Sequence, residues 1–190
     1  YKNKNYILYS IIILTICSSI HYTYKYIHKR DFMDLRKANF NKAIDASLLD
    51  KKLNGLKWVS CHKPNDPKNE IANLRESINL IKSDKRTKGI ITEYQFISVI
   101  LDIYDYSPSQ VWFINHVVNQ DKNSKFFKSY KKLLVNQIKN HKVEIFYVIY
   151  PFWDSDKIFE NGLNKNCYIK TKLNDIMDSY LLKECDDLNS

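Results

Sequence analysis

Three short polar clusters in this 190-residue chain carry side chains able to move protons or hold a ligand. They are Ser60-Cys61-His62, Glu93-Tyr94-Gln95 and Phe152-Trp153-Asp154, each placed directly after a β-rich run. Glu93 and Asp154 can form a carboxylate pair for acid–base work, with His62 as a base. Trp112 and Trp153 have faces broad enough to stack on a sugar ring or to lie at a membrane interface. All of these residue types also serve as ordinary loop caps and rim aromatics. No catalytic residue is therefore assigned. Glu93, Tyr94, Gln95, Trp153 and Asp154 stand as substrate-binding candidates.

Several chemistries are excluded by pattern. The chain has no G-x-G-x-x-G after a strand, no Walker loop, no G-x-S-x-G elbow and no H-E-x-x-H. Its 3 glycines leave little scope for a backbone cradle around phosphate, which disfavours an autonomous nucleotide-dependent enzyme. Cys61-His62 is an isolated dipeptide, and no C-x-x-C pair occurs, so neither a metal site nor a cofactor is expected in this chain. Of the four cysteines, Cys17 lies in an apolar run and behaves as a small hydrophobe. Cys167 and Cys185 flank a helix-like stretch near the C-terminus. In an oxidising compartment they are the best disulfide candidates, with buried free thiols as the alternative.

The elements that position these clusters alternate between β-rich runs and amphipathic helices. Strands are expected at 56–60, 89–92, 111–114, 143–150 and 168–173. Pro64-Asn-Asp-Pro67 makes a turn in which Asp66 caps a helix and Pro67 occupies its first position. That helix reaches about Lys82 and aligns Ile71, Leu74, Ile78 and Ile81 on one face. A second helix is expected to bury Phe96, Val99, Ile100 and Ile103. A third, capped by Ser124, is expected to bury Phe126, Phe127, Tyr130, Leu133, Leu134 and Ile138. A further helix is expected at 156–163, and a short one after the last strand. The run Val-Glu-Ile-Phe-Tyr-Val-Ile-Tyr at 143–150 is apolar enough for a central strand covered on both faces. Strand–helix–strand order points to an α/β fold: a small, mostly parallel sheet flanked by helices. Ligands of such sheets lie beyond the carboxyl ends of the strands, where the three clusters fall.

Ahead of this body, residues 5–24 carry no formally charged side chain. About twenty helical residues at 1.5 Å each match a hydrocarbon core of roughly 30 Å. Tyr6 and Tyr9 at one end, and Tyr22, Tyr24 and Tyr26 at the other, resemble interfacial aromatic belts. A signal peptide would need a small-x-small cleavage site, and His21-Tyr-Thr-Tyr-Lys25 offers none. The expected organisation is one transmembrane helix with flanks at 1–27, a juxtamembrane helical connector at 28–54 and a soluble α/β domain at 55–190. The first residue is Tyr, and a loop entering a last membrane helix fits Lys2–Asn5, so a piece of a longer protein is expected.

The net charge of +9 does not by itself imply nucleic acid. Lys, Asn, Ile and Tyr are all abundant, as A+T-rich codons dictate, and the basic residues are interleaved with 21 acidic ones. A solvated surface accounts for most of the charge, and the expected partner is the lipid bilayer, not nucleic acid. Lys25, Lys29, Arg30, Arg36 and Lys37 outnumber Lys2 and Lys4 across the helix, which by local charge alone puts the domain in the cytoplasm.

Three segments carry a family resemblance: Ala43-Ile-Asp45-Ala-Ser-Leu-Leu-Asp50-Lys-Lys-Leu-Asn-Gly55-Leu-Lys-Trp58, then Ile91-Thr-Glu-Tyr-Gln-Phe-Ile-Ser98, then Tyr106-Ser-Pro-Ser109. With them the chain resembles the C-terminal soluble domain of bacterial polytopic membrane glycosyltransferases of the GT-C type, relatives of the protein mannosyltransferases. The resemblance implies a sugar donor linked to polyprenyl phosphate and a cell-envelope acceptor. It also implies catalytic and divalent-metal-binding acidic residues in a region upstream of this chain, so no catalytic position carries over. It places the membrane helix in the bacterial inner membrane and the soluble domain in the periplasm, against the local charge count and compatible with a Cys167–Cys185 bridge. A single-span, membrane-anchored binding or scaffold protein is the alternative. A free-standing anchored hydrolase using Glu93, Asp154 or His62 is a weaker third.

Overall fold

The computed structural model describes residues 2–29, 35, 38–92, 94, 96–104, 123–149, 159–160 and 163–183. They fall into two units, one made of Tyr1–Ala46 and Gly55–Glu70, the other of Ser47–Asn54 and Ile71–Ser190.

The first unit begins with helix α1 (Lys2–Thr23), which continues as a π-helical turn, Tyr24–His28. Within it, Asn5–His28 is long and apolar enough to cross a membrane, and none of that span is buried. Ile7, Ile13 and Ile20 are each at least 60% exposed, so among the described residues the apolar side chains of this helix are uncovered. Two of its hydroxyls are satisfied within the helix: Ser10 Oγ donates to the Tyr6 carbonyl and Thr15 Oγ1 to the Ile11 carbonyl, both at 2.9 Å. Such back-bonding to the preceding turn suits a hydrocarbon environment, where no water can serve these groups.

Between residues 38 and 54 the chain does not form the expected helical connector. It makes three 3-10 turns, at Phe40–Lys42, Ala46–Leu48 and Lys51–Leu53, and one short strand, β1 (Ile44–Asp45). Asn39 and Asp50 cause the breaks, because each turns its side-chain oxygen onto a backbone N–H two residues on and so competes with helix propagation. Strand β1 pairs antiparallel with β2 (Lys57–Trp58) in a separate two-stranded sheet. The run at 56–60 is therefore a strand, but not a member of the main sheet.

Helix α2 (Pro67–Ser83) starts where Asp66 and Pro67 direct it, with Asp66 Oδ1 accepting the Asn69 N–H at 3.2 Å. In the second unit its Ile71, Leu74, Ile78 and Ile81 are buried, as their spacing requires. The main sheet contains β3 (Lys88–Thr92), β4 (Ile145–Ile149), β5 (Tyr168–Lys172) and β6 (Met177–Leu182) in the order β3-β4-β6-β5. Only β3 and β4 are parallel; β4 with β6 and β6 with β5 are antiparallel. The sheet is mixed, not mostly parallel.

The difference has one cause. A short helix is expected after the strand at 168–173, yet residues 177–182 alternate Met177, Ser179, Leu181 on one face with Asp178, Tyr180, Leu182 on the other, which is a strand period. Asn174 turns the chain, its Oδ1 accepting the Ile176 N–H at 3.0 Å, and Leu173 N–H donates back to the Met177 carbonyl at 2.9 Å. The result is a hairpin, and it adds two antiparallel strands to a single parallel pair.

All five residues of β4 are buried. On one face Phe146 and Val148 join Ile91, Leu134, Ile138, Phe159 and Tyr180 in the core. Phe159 and Tyr180 stack with centroids 3.7 Å apart, and Tyr168 meets the edges of both Phe146 and Phe159. Gly89 sits opposite Phe146 in the ladder, and a Cβ there would lie 2.5 Å from the ring. Only glycine lets that ring lie flat on the neighbouring strand.

Two helices cover less than their apolar residues suggest. Helix α3 (Ile97–Leu101) buries Ile97, Ile100 and Leu101 but leaves Val99 65% exposed. It stops at Asp102, whose φ of 56° is left-handed and ends the helix. Helix α4 (Phe127–His141) buries Leu134 and Ile138, packs Tyr130 at the rim and leaves Phe126 and Leu133 exposed. Ser124 turns its Oγ onto the Phe126 N–H at 3.3 Å, just ahead of that helix. The strand expected at 111–114 and the motif residues 106–109 lie outside the described residues; of the helix expected at 156–163, Phe159, Glu160 and Leu163 are described, the first two helical and Leu163 a bend.

Candidate functional site

Because β3 and β4 run parallel, their carboxyl ends emerge at one edge of the sheet. Thr92, Ile149 and Met177 form the last rung there, and Ile91, Val148, Asp178 and Lys172 the rung behind it. Immediately beyond β3, Thr92 Oγ1 accepts the Tyr94 N–H at 3.0 Å, and the Tyr94 carbonyl accepts the Ile97 N–H at 3.0 Å. These two bonds fold the chain straight from β3 into α3. Tyr94 itself is buried and meets Phe96 edge-on at 5.8 Å, so its ring contributes packing at this edge. Glu93 and Gln95 flank it in sequence, and Trp153 and Asp154 follow β4; all four, with Trp112, lie outside the described residues.

The edge has a charged pair that the sequence did not announce. Asp178 is 1% exposed, and its Oδ2 lies 3.1 Å from Lys170 Nζ. The same ammonium stands 5.7 Å from the centroid of the Tyr180 ring. Lys170 is the ladder partner of Tyr180, and Asp178 is two residues away on the same face, so one lysine reaches both. Reading residues 177–182 as a helix hid this pair. The signal that would have found it is the alternation of Asp178, Tyr180 and Leu182. A carboxylate so deeply enclosed does not meet bulk solvent, and Lys170 supplies its counter-charge.

A second cluster lies at the opposite, amino-terminal edge. Asp84 takes hydrogen bonds from Arg86 (Nε to Oδ2 3.0 Å, Nη2 to Oδ2 2.8 Å), from the Arg86 backbone at 2.9 Å, and from the Tyr147 hydroxyl. Burial alone would raise the Asp84 carboxyl, but the bonds from Arg86 and Tyr147 outweigh it and hold the group well below the usual carboxylate range. Burial, then the bond to Asp84, pushes the Tyr147 phenol upward and keeps it neutral. Lys88 Nζ donates to the carbonyls of Ile81, at 2.9 Å, and Asp84, tying β3 to the end of α2. Asp84 and Tyr147 are 63 residues apart, and no local pattern predicts their meeting.

In the first unit, Ser60 is buried and its Oγ accepts the backbone N–H groups of His62, at 3.1 Å, and Lys63. Ser60-Cys61-His62 is thus a side-chain-capped turn following β2, a strand of the two-stranded sheet. Trp58 Nε1 donates to Glu70 Oε2 at 3.0 Å, fastening β2 to the first turn of α2. Cys17 and Cys61 are not in disulfides, whereas Cys167 is fully buried and disulfide-bonded. Cys185 lies outside the described residues. Among the described residues no group of three or more His, Cys, Asp or Glu is placed to hold a metal ion.

A scan against protein-family models, a search of curated proteins and a search of solved structures each return no match.

Proposed function

We propose that this chain is the terminal part of an integral-membrane glycosyltransferase of the GT-C type, comprising its last membrane helix and an extracytoplasmic, non-catalytic α/β domain. In this role the domain supports acceptor binding or assembly, while sugar transfer from a polyprenyl-phosphate donor takes place on acidic residues upstream, where a divalent metal would also bind. The observation that carries the proposal is the junction of a bilayer-length helix with an α/β body that bears the resembling segments. Two of those segments occupy informative places. Residues 43–58 build the β1–β2 hairpin that follows the membrane helix, and residues 91–98 run from the end of β3 into α3, along the carboxyl edge where ligands of parallel strands collect. The candidate residues Glu93, Tyr94, Gln95, Trp153 and Asp154 follow β3 and β4 in sequence, and a lysine–carboxylate pair, Lys170 with Asp178, lies within the same sheet.

The test begins with the gene. The reading frame upstream of Tyr1 is expected to continue through several further apolar spans, and the complete protein is expected to transfer sugar from a polyprenyl-phosphate donor. Deleting residues 55–190 should lower transfer to the natural acceptor while leaving donor binding in place. A start codon immediately before Tyr1 would overturn this and leave a single-span anchored binding or scaffold protein, a conclusion reinforced if the chain by itself captured a partner without any sugar-transfer dependence.

A further inference from the structure

We propose that the aromatic and basic collar ending the membrane helix, residues 21–29, binds the phosphate of anionic phospholipid in the leaflet it faces; this rests on the assignment of α1 as a membrane span. At Tyr24 the α-helix gives way to a π-helical turn, closed by Lys29 N–H donating to the Tyr24 carbonyl at 3.1 Å. Single π turns of this kind concentrate at functional sites, because the wider turn redirects side chains that a regular helix would stagger. Here it organises two ring pairs. Tyr22 and Tyr26 stack with centroids 5.5 Å apart, and Tyr24 faces His28 at 6.1 Å. Each pair carries an ammonium: Lys25 Nζ stands 5.3 Å from the Tyr26 centroid, and Lys29 Nζ 5.0 Å from that of Tyr24.

A ring quadrupole steadies a cation but does not neutralise it. From Lys2 to Lys29 the chain contains no Asp or Glu, so neither ammonium has a carboxylate within its own segment. Tyr22 and Tyr24 are more than half exposed. The collar sits at the end of the Asn5–His28 span, which is the depth of the head groups. Ammonium groups and phenolic O–H donors presented together at that depth complement a phosphodiester, which offers one negative charge and several acceptor oxygens. Zwitterionic head groups place their own cation against the lysines and fit less well. The collar also accounts for the basic flank beside an extracytoplasmic domain: its charge serves lipid recognition at the site where it stands.

The test uses the whole chain in detergent micelles with equimolar phosphatidylglycerol and phosphatidylcholine, and native mass spectrometry to count the lipids retained. Phosphatidylglycerol is expected in clear excess. Each lysine removed should lower that preference by about fivefold, and the K25Q/K29Q double variant by about 30-fold. Lys125, whose ammonium stands 4.8 Å from the Phe126 ring in the other unit, is the control, and K125Q should change nothing. Equal retention of the two lipids, or an unaltered preference in K25Q/K29Q, overturns the collar. Alkaline carbonate extraction of membranes bearing the same chain separates the two failures. Release by carbonate removes the membrane span and the collar together, whereas retention without lipid preference removes the collar alone.

Discussion

The middle of helix α1 and the strand β4 are both rich in Ile and aromatic residues, and they end in opposite surroundings. α1 exposes its Ile and Leu side chains on every face, while β4 buries all five of its residues. Hydrophobicity alone does not separate them; the backbone does. A helix of 22 residues closes its own hydrogen bonds and can leave the protein for lipid. A five-residue strand must borrow every backbone partner from β3 and β6, so it can exist only inside a sheet. The tyrosines show the same contrast. Tyr22 and Tyr24 in the collar are more than half exposed, whereas Tyr147 in β4 is buried and its hydroxyl donates to Asp84.

That contrast can be broken from the strand side most severely. Phe146→Ala removes a fully buried ring from the core and should cost the soluble domain about 3–5 kcal/mol in urea unfolding, without changing how the chain fractionates with membranes. The reciprocal change, Ile13→Lys, places a charge near the middle of the apolar helix. It should raise the cost of insertion by about 2.5–3.5 kcal/mol in a membrane-integration assay and leave the unfolding of the domain untouched. If either substitution disturbed both measurements equally, the two segments would not be independent.

A subtler change probes how β4 satisfies its single polar tip. Asp84→Asn keeps the shape but removes the charge that Arg86 and Tyr147 address, and should cost about 1.5–3 kcal/mol at pH 7. Since the folded Asp84 carboxyl lies below its unfolded value of about 3.9, its contribution is fully present above that pH and is lost as pH falls toward the folded value. The natural protein should therefore weaken more steeply below about pH 4 than the Asp84→Asn variant does. Parallel acid limbs in the two unfolding series would show that the carboxylate contributes nothing. The smallest effect concerns the turn that launches β4. Lys142 ends α4 with a left-handed φ of 51°, a conformation glycine adopts without steric cost, so Lys142→Gly should stabilise the domain by about 0.5–1 kcal/mol in the same assay.

Legibility in the sequence followed the range of the interactions. The long apolar helix near the N-terminus, the Asp66–Pro67 start of α2 and the central position of β4 rest on signals contained within one segment, and all three are present in the structure. The connector at 28–54 was misjudged because Asn39 and Asp50 cap turns that a hydrophobic pattern does not register. Strand β6 was misjudged because a six-residue run with four apolar positions fits a helical turn as well as a strand until its hairpin partner is known. With β6 went the antiparallel half of the sheet, and with it the Asp178–Lys170 pair behind the candidate edge. Val99 and Leu133 were placed inward because each lies beside truly buried neighbours on its helix, and a stripe read from sequence is broader than the one the sheet covers. Asp84, Arg86 and Tyr147 meet only through the fold, which no local spacing encodes.

The central claim is that a lipid-spanning helix holds a separately folded α/β body outside the cytoplasm. Protease added to intact spheroplasts expressing the complete protein reaches only what lies on the outer face. The account predicts that the α/β domain is digested, or trimmed to its folded core, in intact spheroplasts, while the membrane helix stays in the pellet after carbonate washing. Complete protection of the domain until the spheroplasts are lysed, or loss of the chain into the carbonate wash, would contradict it.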